Sequence, residues 1–236
     1  MIFKNRYFSV GFFVNLNKIK FMHNSIILLV FLSFGLIQAQ EKYNLYNVID
    51  SVSSERIEND VKTLVNFGTR HTLSDTLSKS RGIGAARRWI KSEFDNISKD
   101  CNGCLDVFYQ KNYFEPKDGE RIVKPVWINN VLAIQRGTSH PNRFIIMSGD
   151  IDSRVSNPNN FVDDSPGAND NATGMAGTIE VARILSKYTF ENSIIYVGLS
   201  GEEQGLFGGK GLAAYARKEG WEIIGILNND MIGNIK

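Results

Sequence analysis

The chain has 236 residues, 42% hydrophobic and 22% charged, with 27 Lys+Arg, 25 Asp+Glu and 3 His. This is ordinary globular composition, which excludes a disordered tail protein, a collagen-like fibre and a polytopic membrane protein. Two cysteines exclude a disulfide-dense mini-scaffold, and the net charge of +2 has a local origin.

Residues 1–40 hold four of the basic residues, Lys4, Arg6, Lys18 and Lys20, and no acid, so residues 41–236 carry a net charge of −2. The apolar run Ile26 to Ile37 follows positive charge and precedes Ile37-Gln38-Ala39. That is the three-part pattern of a secretory signal peptide, and the run is shorter than the ~20 residues of a membrane span. The expectation is a signal peptide over 1–40, with Met22 as an alternative start. It implies a protein exported to the periplasm or the extracellular space, with no stable membrane span after cleavage. The competing reading is an uncleaved N-terminal anchor.

Helical spacing at Ile57, Val61, Leu64 and Val65 predicts a helix within 49–67, and Ile83, Ala86, Ile90 and Phe94 predict a second over 81–98. Cys101 and Cys104 follow it. Export permits a disulfide, and a small structural one in a turn is the expectation. A redox pair belongs at a helix N-terminus, and a zinc knuckle needs two further ligands nearby.

Residues 105–114 and 126–135 read as strands. From 143 the pattern becomes strand (143–148), helix (171–187), strand (193–199), helix (206–219), strand (223–227). Near-continuous apolar strands alternating with amphipathic helices predict an α/β fold: a mixed, largely parallel twisted sheet covered by helices on both faces.

The acids follow these strands. Asp150 and Asp152 come just after the first strand of the alternating region, Glu202 and Glu203 after the second, Asp230 after the third, and Asp170 precedes a helix. In open α/β sheets, sites form outside the carboxyl ends of the strands. Singly, each acid reads as well as a turn, a helix cap or a solvated loop residue. Converging, they repel one another and call for divalent cations. The tight segment Pro166 to Gly174 enters a helix, and Gly201 and Gly205 bracket the glutamate pair, which suits a sharp turn.

The segments GDIDS (149–153), PGANDNATG (166–174), GEEQGLFG (201–208) and NNDMIG (228–233) resemble the family-twenty-eight metallopeptidases, the co-catalytic zinc aminopeptidases of the aminopeptidase Y and bacterial leucyl aminopeptidase type. FGTRH (67–71) and RGIGAARRWI (81–90) are similar to that family's N-terminal part. The resemblance implies a zinc-peptidase fold and two divalent metal ions, zinc first, with manganese or magnesium as alternatives. It implies a metal set of Asp150, Asp170, Glu203 and Asp230, with Asp170 bridging. Glu202 is implied as the general base that takes a proton from water at the metals, and Asp152 as an acid orienting the residue two before it. The implied activity is hydrolysis of N-terminal peptide bonds in peptide or protein substrates.

Two departures follow from the residues. The family's GHxD histidine is here Asp150, which removes a nitrogen ligand and adds negative charge; Arg154 is close enough in sequence to offset it. The family's last ligand, a histidine downstream of NNDMIG, has no counterpart before Lys236. The expectation is therefore a catalytic domain over 41–236 lacking its C-terminal part. His71 and His140 lie outside the metal motifs and read as structural or surface residues. The alternatives are a catalytically inactive fragment or pseudoenzyme acting as a binding module, and a carboxypeptidase or glutaminyl-cyclase-like relative. The Gly-rich segment 205–211 fails the phosphate-loop pattern, and the slightly acidic region 41–236 shows no basic stripe for nucleic acid.

Overall fold

The computed structural model describes residues 44–234. The signal peptide expected over 1–40 lies outside the described residues. The helix expected within 49–67 is α2 (Ser54–Val65), and a short helix α1 (Leu45–Asp50) precedes it. Ser53 is extended, and its hydroxyl accepts the Arg56 N–H. That cap starts the helix at a point that the periodicity from Ile57 onward does not mark. In α3 (Gly82–Asp100), Ile83, Ala86, Ile90, Phe94 and Ile97 are buried along one stripe. The helix ends at Cys101, which is disulfide-bonded to Cys104.

Strand β1 (Leu105–Phe114) pairs antiparallel with β2 (Val126–Gln135) along their whole length. Strand β3 (His140–Asp150) follows, then a short π-type turn (Ala168–Thr173), α4 (Gly174–Leu185), β4 (Asn192–Leu199), α5 (Phe207–Lys218) and β5 (Glu222–Asn229). β3 runs past the expected 143–148 at both ends. His140 pairs with Asn192 across a register shift, and Gly149 and Asp150 pair with Gly198 and Leu199. Asp150 is therefore the last strand residue rather than a residue just beyond the strand.

The sheet order is β1-β2-β4-β3-β5. Two pairings are antiparallel, β1 with β2 and β2 with β4. The two made by β3 are parallel. The middle strands alternate between two cores, so both faces are covered. Val131, Ala133, Ile194 and Tyr196 pack with Leu64, Ile90, Phe94 and Ile179 from α2, α3 and α4. Leu132, Ile134, Ile195 and Val197 pack with Leu212 of α5 on the other face.

An ion network joins the three helices of the first face. Glu180 on α4 accepts from Arg56 and from the Ser53 N–H, and Arg183 pairs with Asp60 on α2 and Glu93 on α3. Among the described residues, no helix is long and apolar enough to cross a membrane.

Candidate active site

Because β4, β3 and β5 are parallel neighbours, their carboxyl ends open on one edge of the sheet. Asp150 ends β3, the Gly201–Glu203 loop follows β4, and Asp230 follows β5. Asp170 lies in the turn before α4, in non-helical backbone, and its bond to Asn171 is cis. The topology thus brings together the ends on which the six acids stand.

Asn171 joins those ends. Buried at 1% exposure, it donates from Nδ2 to the Asp150 carboxylate at 3.3 Å and to the Asn229 carbonyl at 2.9 Å. Its Oδ1 accepts the N–H groups of Gly174 and Met231. One amide therefore ties β3, β5 and the start of α4. Glycine at 174 permits the approach: a Cβ there would lie 2.0 Å from the Asn229 carbonyl oxygen.

Asp152 holds the glutamate loop. Its carboxylate accepts the N–H groups of Gly201 at 2.9 Å, Glu202 at 3.2 Å and Glu203 at 3.1 Å, and the Thr72 hydroxyl at 2.9 Å. The role implied for it was to orient Asp150; these bonds run to the loop instead. Gly201 turns the chain with φ +79°, a value that glycine adopts without steric cost. The bracketing glycine was legible in the sequence; the acid that gathers three consecutive N–H groups was not.

Burial and mutual repulsion shape the electrostatics. The Asp150 carboxyl, 5% exposed, is pushed up to about 8 by burial, then by the charges of Asp152, Glu202 and Asp230. Glu202 is pushed up to about 7 by burial, then by Asp152, Glu203, Asp230 and Asp170. Burial also raises Glu203, against the pull of its ion pair with Arg154. Burial raises Asp152 despite its four donors. Arg154 thus places its charge on Glu203.

In the sequence Arg70 stands out only as part of FGTRH, with no role marked for it. Its guanidinium, 1% exposed, donates to the carbonyls of Ile151, Leu64, Pro166 and Gly167. It therefore fixes both the segment after Asp150 and the segment before Asp170. Burial lowers its pKa to about 10, with Asp152 and Asp170 acting upward. No local signal marks such a brace, since its acceptors are main-chain carbonyls up to 97 residues away.

His71 is fully buried. Its Nδ1 accepts the Leu73 N–H, so the ring proton belongs on Nε2, which reaches the Pro158 carbonyl at 2.9 Å. Both nitrogens are engaged, and burial lowers the ring's pKa, as a structural histidine requires. His140 is exposed at the start of β3.

The donors suit a divalent cation in kind. Asp150, Asp170, Glu203 and Asp230 offer only oxygen, and the raised carboxyls of Asp150 and Glu202 mark excess negative charge that a cation would relieve. In arrangement they stand at the ends of β3, β4 and β5 and at the entry to α4, an acid ring in that sense alone. Among the described residues, no three His, Cys, Asp or Glu side chains stand together as a ready-made cage.

Residues 130–236 match the model of Peptidase family M28. A "Probable zinc metalloprotease" of Pyrenophora tritici-repentis is 37% identical over 193 residues, covering 82% of this chain and 44% of its own length. From residue 130 onward the chain carries a peptidase family M28 match. It spans less than half the length of that relative. The LapA aminopeptidase of Legionella pneumophila has a similar structure, at TM-score 0.59 and 18% identity, covering 79% of this chain and 45% of its own. So does the glutaminyl cyclase of Porphyromonas gingivalis, at TM-score 0.57 and 19% identity, covering 75% and 61%. At these identities the likeness is one of fold. The M28 match takes in the ends of β3, β4 and β5, and so every acid of the ring.

Proposed function

We propose that this chain carries the catalytic core of an exported, metal-dependent aminopeptidase that removes residues from the N-termini of peptides. The observation that carries the reading is the edge shared by β4, β3 and β5, where acids follow three neighbouring strand ends and one stands at a helix entry. The M28 match suggests the chemistry, and similarity to a probable zinc metalloprotease supports zinc.

Asp150, Asp170, Glu203 and Asp230 would hold two divalent cations. Bound there, the cations polarise a scissile carbonyl and acidify water. Glu202, on the loop held by Asp152, is placed to take a proton and pass it to the leaving amine. Asn171 and Arg70 keep the strand ends and the helix entry in register. Asp150 makes the set all-oxygen, which binds zinc less selectively than a histidine site and admits manganese or magnesium.

A second reading is a catalytically silent binding module. The ion pair between Glu203 and Arg154 and the carboxylate at position 150 favour it. Elemental analysis of the purified chain, beside Glu203→Ala and Glu202→Gln, with a panel of aminoacyl chromogenic amides, separates the two. The aminopeptidase reading expects about two metal ions per chain, lost in part in Glu203→Ala and retained in Glu202→Gln, with hydrolysis abolished in both. Metal retention without turnover supports the silent module. Absence of both metal and turnover rejects the metal reading.

A further inference from the structure

A cavity of about 700 Å³ opens between α3 and the β1–β2 hairpin. None of the ring acids lines it. Its floor follows from strand alternation. Lys111 pairs with Asn129 and Tyr113 with Trp127 across the hairpin, so these four residues lie side by side on one face. Tyr113 and Trp127 pack with ring centroids 5.1 Å apart, and both are about half exposed. Arg87 of α3 and Lys124, just before β2, complete the wall.

The charge of this cavity is one-sided. It is lined by three cations, Arg87, Lys111 and Lys124, and by no carboxylate. None of the three is ion-paired among the described residues. Arg87 is only 6% exposed, yet its hydrogen bond is a long one, 3.4 Å to the Trp127 carbonyl. A guanidinium carries five donors in a fork matched to a carboxylate. On the same wall, the Asn129 side-chain oxygen is buried with no partner; as an acceptor it calls for an N–H of the ligand, such as a peptide amide, and not for the carboxylate.

From this cavity we infer a binding site for a carboxylate carried next to an aromatic or apolar group, as at the C-terminus of a peptide or on an acidic residue within one. Arg87 takes the carboxylate in bidentate fashion, Lys111 and Lys124 add charge from the rim, and the Tyr113–Trp127 pair offers the apolar shelf. Burial holds the Arg87 guanidinium down at about 10, still charged at neutral pH, and a bound anion would return it toward its ordinary value. The site shares structure with the acid ring. Thr72, which donates to Asp152, immediately precedes Leu73 and Ser74 of the cavity wall, and the Asn129 carbonyl accepts the Ser200 hydroxyl just before the glutamate loop. Under the peptidase reading, this cavity would engage an acidic or C-terminal part of a short substrate. The inference about binding does not need that reading.

The test is calorimetric titration of the full, metal-free chain, so that its result does not depend on peptidase activity. The probes are N-acetyl-tyrosine, N-acetyl-tyrosinamide, N-acetyl-glutamic acid α-amide and inorganic phosphate. The expected result is saturable binding of N-acetyl-tyrosine with Kd on the order of 1 mM or tighter, at least tenfold weaker for the uncharged amide. Comparable binding of the glutamyl probe extends the ligand to acidic side chains; its failure confines the site to terminal carboxylates. Arg87→Gln and the surface pair Lys111→Gln/Lys124→Gln should each weaken binding at least fivefold with unchanged circular dichroism. If Arg87→Gln does not fold, the lysine pair decides alone. Equal affinity for acid and amide, tighter binding of phosphate than of N-acetyl-tyrosine, or undiminished binding in the lysine pair overturns the inference.

Discussion

The parallel pair β4–β3 is flanked by two strands of similar composition and opposite environment. On one side, β2 buries Ile128, Val131, Leu132, Ala133 and Ile134 at 1% exposure or less, between α3 and α4 on one face and α5 on the other. On the other side, β5 leaves Ile224, Ile226 and Leu227 between 41% and 64% exposed, although it is hydrogen-bonded to β3 along its length. β2 is paired on both sides, with β1 and β4, whereas β5 is an edge strand paired with β3 alone, so pairing and burial fall off together. The acid ring is fastened to β5 mainly through polar bonds: those of Asn171, the Ser148 hydroxyl to Asn228 and the Asn229 amide to Thr178. The hairpin half rests on packing, the β5 half on register.

This contrast can be broken or sharpened by substitution. The largest effect is expected for Ile134→Ala on β2, a loss of about 2–5 kcal/mol in urea unfolding, because transfer and cavity costs both apply. Glu180→Gln, in the network under the covered half, should cost about 2 kcal/mol, since Arg56 and Arg183 lose a charged acceptor. That difference should depend on pH. Burial alone pushes the Glu180 carboxyl up, but the bonds from Arg56 and the Ser53 N–H outweigh it and leave it below its ordinary value. Its stabilisation is therefore full above the unfolded carboxylate range near pH 4.5 and declines as pH falls through the folded value. The wild-type minus Glu180→Gln stability difference, followed from pH 6 to pH 3, should shrink. Reducing Cys101–Cys104 should cost at most about 2 kcal/mol, because the loop it closes is very short; urea melts with and without reductant check this.

The smallest effect is expected for Ile226→Ala on β5, within about 0.5 kcal/mol. A cost as large as that of Ile134→Ala would show that the β5 face is covered in solution. Ile226→Lys should reduce self-association in light scattering, since an apolar strand at a sheet edge is a pairing surface.

Much of the architecture was readable because burial writes itself into periodicity. The bounds of β1 and β2 follow from their apolar runs and the turn residues around them, and the order of the last five elements follows from strand–helix alternation. Three features were not readable, each for a stated reason. The start of α2 depends on one cap, Ser53, which the periodicity from Ile57 onward does not mark. The extension of β3 to Asp150 depends on partners in β4 and β5, not on its own composition. Arg70 and Asn171 act through carbonyls and amides brought close only by the sheet order. The acids of the ring were legible because chemistry restricts residue type, whereas the groups that hold them there are chosen by three-dimensional fit.

Asp152 has a consequence for how such a site can change over time. It grips the glutamate loop through main-chain N–H groups, donors that any residue but proline would present at 202 and 203. Those two positions can be exchanged for other chemistry while the peptide frame stays in place. The frame is heritable apart from the reaction it displays, and grafting a different pair of side chains onto it would begin from a turn that is already set.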